Sequence, residues 1–174
     1  MPALDLYVEP IRLGGSAPTG EYRIAPTTRE VERVPLRQLS CLLRVPPIPG
    51  AKRAILDTGA PLSHFPHQVW ANEFNWREGR DFHVLPVAGN PPLVGQTLGF
   101  RYSFRLVRLR VPVVLAGRDL TAPRLQVDSL VTQLAEPGGP PFILLGLWGG
   151  VLDGRRLSFG TATDADMTAA LEWD

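Results

Sequence analysis

Hydrophobic and polar residues alternate in short runs along most of the chain, a pattern that is typical of β-strands. The clearest run is FRYSFRLVRLRVPVVL at 100–115, whose alternation changes phase near Leu106 and Val107. Such a change predicts a β-bulge or a strand that leaves one partner for another. Further strands are predicted at 39–45, 52–56, 81–87, 142–146 and 156–159, with one or two more within 120–131.

Segments rich in proline and glycine separate these runs. PPIPG at 46–50 predicts the turn of a hairpin, PLSHFP at 61–66 a short extended piece, and AGNPPLVGQTLG at 88–99 a loop. Apolar positions near helical spacing predict a short helix within 67–76. Thr163 or Asp164 is a potential N-cap for a closing helix that extends through Trp173.

The predicted fold class is therefore all-β, a single closed or sandwich-like lobe with one or two short helices. We expect residues 1–35 to form an extension or edge segment, 36–160 the lobe, and 161–174 a helical tail. The 18 prolines and 17 glycines among 174 residues exclude a coiled coil or helix bundle. Hydrophobic residues make up 44% of the chain and charged residues 20%, which argues against disorder.

The composition also narrows the partners that we expect. The longest apolar stretch, 140–152, has 13 residues interrupted by glycines, whereas a membrane-spanning helix needs about 20. The first residues lack a basic-then-apolar signal pattern, and a lone Cys41 forms no intrachain disulfide. We therefore expect a cytoplasmic protein without a membrane partner. A net charge of +1 gives no general attraction to polyanions.

One motif carries most of the chemical information. Asp57-Thr58-Gly59-Ala60 follows directly after the aliphatic end of a predicted strand, which places a carboxylate at the rim of a sheet. Gly59 permits a close approach of a second backbone segment, and the Thr58 hydroxyl both donates and accepts hydrogen bonds. Taken alone, the same residues are also compatible with an ordinary turn.

A second element changes that interpretation. Ile143-Leu144-Leu145-Gly146 forms a predicted buried strand about 85 residues later. The two elements in this order resemble the retropepsin-like aspartic proteases, and the resemblance covers residues 39–159. It implies a single-lobe retropepsin-like acid protease fold, with an aspartate loop, a flap hairpin in mid-chain and a supporting strand near the carboxyl end.

The resemblance also implies roles for individual residues. Asp57 corresponds to the catalytic aspartate, Thr58 and Gly59 to its active-site loop, and Ala60 to the residue beside the substrate backbone. The supporting strand corresponds to Ile143, Leu144, Leu145 and Gly146, and the flap to a part of 87–100 with Gly89, Gly95 or Gly99 near its tip. The implied activity is hydrolysis of a peptide or protein substrate, without a cofactor.

This chemistry uses two aspartates, and the chain has a single Asp-Thr-Gly. Val151-Leu152-Asp153-Gly154 lacks the hydroxyl residue and is predicted to form a turn. We therefore expect a homodimer in which each chain contributes Asp57. Two alternatives remain open at this stage. One is a catalytically silent peptide-binding or scaffold module on the same fold; the other is an unrelated β-barrel module for small ligands or nucleic acid.

Two weaker patterns point to other chemistry. His64, His67 and His83 invite a metal site, but no carboxylate or cysteine has ligand-like spacing, so we expect none. Four arginines alternate with aromatic residues in the strongest strand, a composition that suits single-stranded nucleic acid. The balanced charge argues against that partner, and a solvent-exposed strand face explains the pattern equally. The arginines are Arg101, Arg105, Arg108 and Arg110.

Overall fold

The computed structural model describes residues 1–10, 21–24, 32–35, 37–87, 93–97, 100–160 and 167–174. Nearly all regular structure in these ranges is β-strand, so the predicted all-β class is confirmed. No helix among them is long and apolar enough to cross a bilayer. The strands are β1 (Ala3–Asp5), β2 (Tyr7–Pro10), β3 (Glu21–Ile24), β4 (Glu32–Pro35), β5 (Arg37–Arg44), β6 (Lys52–Leu56), β7 (Ser63–Phe65), β8 (Phe82–Val84), β9 (Leu93–Thr97), β10 (Phe100–Leu109), β11 (Val113–Ala116), β12 (Leu125–Val127), β13 (Val131–Ala135), β14 (Ile143–Leu145), β15 (Arg156–Gly160) and β16 (Thr168–Glu172).

One large sheet contains most of these strands, in the order β12-β11-β5-β6-β14-β7-β13-β10-β8, with β2 also on β5 and β9 also on β10. A second sheet has the order β1-β16-β15, and β3 pairs with β4. The pairs β6–β14 and β7–β13 are parallel, whereas the other strand pairs of the large sheet are antiparallel. Parallel pairing within one sheet brings distant parts of the sequence to the same edge.

The predicted hairpin at 39–56 is confirmed and leads directly into Asp57. Its strands β5 and β6 alternate between buried and partly exposed positions, with Cys41, Leu43, Ala54 and Leu56 in the core. The turn between them is closed by the backbone N–H of Ile48, which donates to the Val45 carbonyl at 2.9 Å. The period of two in burial fixes the register, because a one-residue slip would expose the buried set.

The short helix predicted within 67–76 is a single wide turn, a π-helix at Gln68–Glu73. The N–H of Phe74 donates to the Val69 carbonyl five residues earlier, the spacing that defines this helix. Aromatic side chains anchor the turn to the sheet. The indole N–H of Trp70 donates to the Ala135 carbonyl at 2.8 Å, and Trp76 packs against Phe74 with ring centroids 5.1 Å apart.

The first ten residues are held to the sheets and contribute two side chains to the core. Leu4 and Leu6 are fully buried. Strand β1 pairs with β16, and β2 pairs with β5. A Cβ at Gly117 would lie 2.3 Å from the carbonyl oxygen of Asp5, which shows how tightly this segment is held. The division into an extension, a lobe and a tail stays a prediction.

The predicted helical tail is wrong where the structure describes it. Residues Thr168–Glu172 form β16, hydrogen-bonded to β1 on one side and to β15 on the other. Ala169 and Leu171 are buried while Thr168, Ala170 and Glu172 are more exposed, so the burial period is two. Pairing on both edges overrides the helical propensity of alanine, leucine and glutamate. The predicted N-caps, Thr163 and Asp164, lie outside the described residues.

Two further elements differ from or refine the sequence prediction. Residues 93–97, predicted as loop, form β9, because β10 supplies an antiparallel partner along their whole length. The run at 100–115 is two strands. Strand β10 pairs with β13 on one edge, and on the other edge it pairs with β9 up to Phe104 and with β8 from Val107, so the strand exchanges partners near Leu106 and Val107 as one of the two predicted alternatives requires. Strand β11 pairs with β5 and β12.

Candidate active site

Asp57 occupies the first position after β6, where the strand gives way to a tight loop. Its carboxylate Oδ1 accepts a hydrogen bond from the N–H of Gly59 at 2.9 Å, and its carbonyl accepts from Ala60 N–H at 3.1 Å. The N–H of Asp57 donates to the carbonyl of Leu145 at 2.9 Å. Asp57 as a whole is half-buried, and one oxygen of its carboxylate is oriented by a backbone donor. Thr58 and Gly59 are exposed beside it.

The predicted supporting strand runs parallel to the strand that delivers Asp57. The register pairs Ile143 with Ala54, Leu144 with Ile55 and Leu145 with Leu56. All three residues of β14 are buried. A buried parallel pair of this kind is typically aliphatic on both faces, as the sequence here is. The structure therefore brings the Asp57 loop and the Ile143–Leu145 strand together.

Gly146 lets the two segments cross at close range. A Cβ at this position would lie 2.4 Å from the carbonyl carbon of Leu62 and 2.8 Å from the carbonyl oxygen of Ala60, distances that no side chain tolerates. Beyond it, Leu147 N–H donates to Ala60 and Trp148 N–H to Pro61, each at 2.9 Å. The aspartate loop is thus hydrogen-bonded to the chain on both sides of Gly146.

Ser63 and Thr132 support this crossing, and neither was assigned a role from the sequence. The N–H of Gly146 donates to the Ser63 hydroxyl oxygen at 3.1 Å, and the Thr132 hydroxyl donates to the Ser63 carbonyl at 2.8 Å. Both side chains are fully buried. A hydroxyl residue at a core position of an otherwise apolar strand was the available signal, since buried polar groups need hydrogen-bond partners.

A hairpin lies beside the aspartate loop. Strands β9 and β10 pair from Phe100 with Thr97 to Phe104 with Leu93. Of the predicted flap glycines, Gly95 lies within β9, opposite Tyr102, and not at the tip. A Cβ there would lie 3.0 Å from the Tyr102 ring. Gly89 and Gly99 lie outside the described residues.

A cavity of about 210 Å³ separates this hairpin from the aspartate loop. The cavity is lined by the loop after Asp57, by strands β7, β9, β10 and β13, and by the middle of β14. The lining residues are Ala60, Pro61, Leu62, His64, Val94, Gly95, Gln96, Tyr102, Phe104, Gln133 and Leu144. The cavity therefore joins the three elements that the sequence singled out: aspartate loop, supporting strand and flap segment.

A row of paired residues forms one side of the cavity. The registers place Leu144 opposite His64, and His64 opposite Gln133, across strands β14, β7 and β13. Directly paired residues point to the same face of a sheet, so the three side chains line the cavity together. The Tyr102 hydroxyl donates to Gln133 Oε1 at 2.9 Å, which connects the hairpin to this row.

His64 is the one titratable side chain of that row, and it is only 1% exposed. Its Nε2 lies 3.4 Å from the carbonyl oxygen of Pro140, and its ring meets the Tyr102 ring edge-on with centroids 4.8 Å apart. Burial lowers the pKa of His64 to about 4, and the Pro140 carbonyl offsets this only in part. The imidazole is therefore neutral at pH values well above 4.

The other candidate features of the sequence lie apart from this site. Within the described residues, no three His, Cys, Asp or Glu side chains gather as metal ligands. His67 packs edge-on against Trp70, with centroids 5.2 Å apart. Asp153 accepts from Gly150 N–H at 2.7 Å, so the Val151–Gly154 segment forms the predicted turn. Burial raises the pKa of Cys41 to about 12, which leaves its thiol unreactive.

Three of the four arginines at 101–110 contact nearby groups. Arg105 forms ion pairs with Glu136 at 3.2 Å and with Glu78 at 3.8 Å. Arg108 donates to the Ser129 carbonyl at 3.3 Å, and Arg110 to the Gly79 carbonyl at 2.8 Å. Whether nucleic acid binds this face stays a prediction.

Comparisons with known proteins give matches among solved structures alone. No family model matches the chain, and no curated protein does. Among solved structures, the chain is similar to a retropepsin-like aspartic protease from Rickettsia conorii. The two share 14% sequence identity with a TM-score of 0.44, over 97% of this chain and 94% of the other.

Proposed function

We propose that the chain is an aspartic endopeptidase that acts as a homodimer. The observation that carries the proposal is the placement of the Asp57 carboxylate. It is oriented by Gly59 N–H, in a loop hydrogen-bonded to the chain around Gly146, next to a cavity that a hairpin borders. An oriented carboxylate beside a cavity of this kind suits general acid–base chemistry on a bound chain.

The mechanism requires a second carboxylate, which a two-fold axis would supply from the partner copy. Two carboxyl groups about 3 Å apart do not both ionise, so they share one proton. The ionised group takes a proton from a water molecule as the water oxygen attacks the scissile carbonyl carbon. The protonated group donates to the carbonyl oxygen, and the tetrahedral intermediate collapses with proton transfer to the leaving nitrogen.

The exposed surface next to Asp57 supports a dimer. Thr58 and Gly59 are exposed, and the neighbouring Trp148 is 62% exposed although it is a large apolar side chain. Backbone hydrogen bonds from Leu147 and Trp148 hold this surface to the aspartate loop. A second copy on that surface would cover the tryptophan and bring the two carboxylates together.

The test is cleavage of a mixed peptide library between pH 3 and pH 7 by the unaltered protein, by Asp57→Asn and by Asp153→Asn. We expect Asp57→Asn to lose about 10³-fold or more in rate. Asp153→Asn keeps the acceptor for Gly150 and should retain activity, which makes it the matched control. Equal cleavage by both variants, or none by the unaltered protein, contradicts the proposal.

Mixing tests the shared site separately. If each active unit needs two Asp57 side chains, equal amounts of Asp57→Asn should reduce the activity per unaltered chain to about half, through mixed dimers. If the enzyme works as a monomer, the activity per unaltered chain should not change when the variant is added. The unaltered protein should also lose specific activity on dilution.

A further inference from the structure

The cavity beside the aspartate loop lies on one face of the large sheet, and this face continues along β10 beyond the cavity. Phe104 and Gln133 line the cavity, and Gln133 is the register partner of Leu106. Phe104, Leu106 and Arg108 occupy alternate positions of β10, so their side chains lie on the same face. Phe104 and Leu106 are half-buried, whereas Arg108 and Arg110, just after the strand, are exposed. The sheet face that borders the cavity therefore leads to two exposed arginines.

These two arginines are oriented by uncharged groups. The guanidinium of Arg108 donates to the Ser129 carbonyl at 3.3 Å, and that of Arg110 donates to the Gly79 carbonyl at 2.8 Å. Neither forms an ion pair within the part of the chain that the structure describes. A carbonyl oxygen orients a guanidinium group without neutralising it, so both positive charges stay available to a ligand.

The acidic side chains on the segments that hold these arginines have other partners. On the loop before β8, the Asp81 carboxylate lies 2.7 Å from Arg80, and the Glu78 carboxylate lies 3.8 Å from Arg105. On the turn after β12, Asp128 accepts a hydrogen bond from a glutamine amide at 3.0 Å. Each carboxylate of the loop is thus matched by its own arginine, and positive charge remains in excess on this surface.

The surface fits an acidic peptide better than single-stranded nucleic acid. Nucleic-acid bases stack on exposed aromatic side chains. Phe82 and Trp76, on the strand and the loop beside the arginines, are buried. Phe100 is exposed, but it lies eight residues from Arg108, about 26 Å along an extended strand. A carboxylate needs only charge and hydrogen-bond donors, which a guanidinium group supplies in a planar fork.

We propose that Arg108 and Arg110 form a basic surface that binds acidic side chains of the substrate, outside the residue that the cavity holds. The inference rests on the proposed function for its substrate, a peptide. An extended peptide and β10 have nearly the same rise, about 3.3 Å per residue. The arginines lie four and six residues beyond Phe104, so an Asp or Glu about four to six residues from the side chain in the cavity reaches them.

The experiment compares three peptides that share one core sequence, selected from a mixed library by binding to Asp57→Asn. Each carries an extension of Asp and Glu, of Ser, or of Lys, placed on the amino-terminal side and then on the carboxyl-terminal side. Binding is measured with Asp57→Asn, so that the peptide stays intact, and cleavage with the unaltered protein. On one side we expect the acidic extension to raise affinity and kcat/KM by about fivefold to tenfold over Ser at low salt. High salt should remove the difference, because both partners are exposed. Equal values for the three extensions on both sides overturn the inference.

Reversing the charge of the surface gives the sharper test. Arg108→Glu combined with Arg110→Glu should reverse the preference, so that the Lys extension binds more tightly than the acidic one. The matched control reverses two exposed arginines near the second sheet, Arg118→Glu and Arg156→Glu, and should keep the preference of the unaltered chain. If the first variant does not fold, Arg108→Gln with Arg110→Gln should bring the ratio of acidic to Ser peptide close to one. A retained acidic preference in the folded variant overturns the inference.

A single-stranded oligonucleotide tests the other class of partner. If it binds the unaltered chain more tightly than the acidic peptide does, and loses that affinity in the charge-reversed variant, the surface belongs to nucleic acid and the inference is wrong. We expect the oligonucleotide to bind more weakly than the acidic peptide, because the aromatic side chains beside the arginines are buried.

The two proposals fail in different ways. Salt-sensitive binding of the acidic peptide without cleavage would refute the endopeptidase and leave the basic surface standing. Cleavage that depends on Asp57 but has the same rate for the three extensions would refute the basic surface alone. Absence of binding and of cleavage for all three peptides refutes both.

Discussion

Gly146 and Leu62 lie in such close contact that a Cβ on the glycine would lie 2.4 Å from the carbonyl carbon of the leucine. On either side of this contact, backbone hydrogen bonds connect the segment after β14 to the loop that holds Asp57. The position of the carboxylate therefore depends on the absence of a side chain at residue 146.

We expect Gly146→Ala to destabilise the fold by about 3 kcal/mol or more, because the added methyl group overlaps backbone atoms that have no room to move. Chemical denaturation measures the change. Gly138→Ala is the control: Gly138 has φ +99° but nothing near its Cβ position, so backbone strain alone applies, at about 1 kcal/mol. Similar losses for the two variants would refute the steric explanation.

Ser63→Ala should cost about 1–3 kcal/mol, because it leaves the buried N–H of Gly146 without its acceptor. If the hydroxyl also positions the aspartate loop, peptide cleavage should fall by more than the loss of folded protein explains. Ser158→Ala, which removes a half-buried hydroxyl that donates to Glu172, should have a smaller effect on stability and none on cleavage. A Ser63→Ala variant as stable as the unaltered chain contradicts the assigned role.

His64 should make the fold less stable in mild acid. Its pKa is about 4 in the folded chain and 6.5 in the unfolded one, so between these values the unfolded chain binds a proton that the folded chain does not. Protonation of His64 therefore does not affect the free energy of unfolding above pH 6.5. As the pH decreases towards 4, it lowers the free energy of unfolding, by about 3 kcal/mol in total. The free energy of unfolding is measured by chemical denaturation at pH 7 and at pH 4.5. It should change less between the two pH values for His64→Leu than for the unaltered chain or for His67→Leu. Equal differences in all three would show that His64 does not titrate in this range.

Gly95→Ala should distort the hairpin that borders the cavity. A Cβ there would lie 3.0 Å from the Tyr102 ring and 3.3 Å from Phe104, so the Tyr102 hydroxyl would shift away from Gln133. We expect peptide affinity in the Asp57→Asn background to fall by about tenfold. Val94→Ala, which truncates an adjacent side chain that is 52% exposed, is the control with a smaller expected effect. If Gly95→Ala binds the peptide with unchanged affinity, the hairpin does not contribute to peptide binding.

Trp148→Ala should weaken the proposed dimer without affecting the folded monomer. Exposed tryptophans in rigid settings are frequent hot spots of protein–protein interfaces. The concentration at which specific activity is half-maximal should rise by about tenfold or more, as measured by dilution assays and sedimentation. Phe159 is similarly exposed, at 60%, but lies on β15 in the other sheet, so Phe159→Ala should change neither value.

The parts of the molecule that the sequence predicted well are governed by local patterns. The hairpin of β5 and β6 follows from alternation around a proline-rich turn, and Asp57 follows it directly. Strand β14 was predictable because a short aliphatic run ended by glycine suits a buried strand. Their pairing was inferred by resemblance to a protein family, since no local pattern specifies which strands meet.

The parts that were missed depend on partners that are distant in sequence. Thr168–Glu172 has residues that favour a helix, yet strands on both sides make it β16. Leu93–Thr97 is flanked by glycine and proline, yet β10 pairs with it. The hydrogen bond between Ser63 and Gly146 and the pairing of His64 with Gln133 both join residues that are distant in sequence. Such effects arise from the tertiary structure and leave little trace in a short window of sequence.

The contact between Gly146 and the aspartate loop also bears on the order in which parts of the structure form. Ser63 and Gly146 are 83 residues apart, so while the chain is being synthesised the Asp57 loop emerges long before the segment that fixes it. Contacts of such separation form late, after the local hairpins. A nascent or truncated chain that ends before β14 therefore contains the aspartate but not its framework. Under the proposed function, we expect such an incomplete chain to lack peptidase activity.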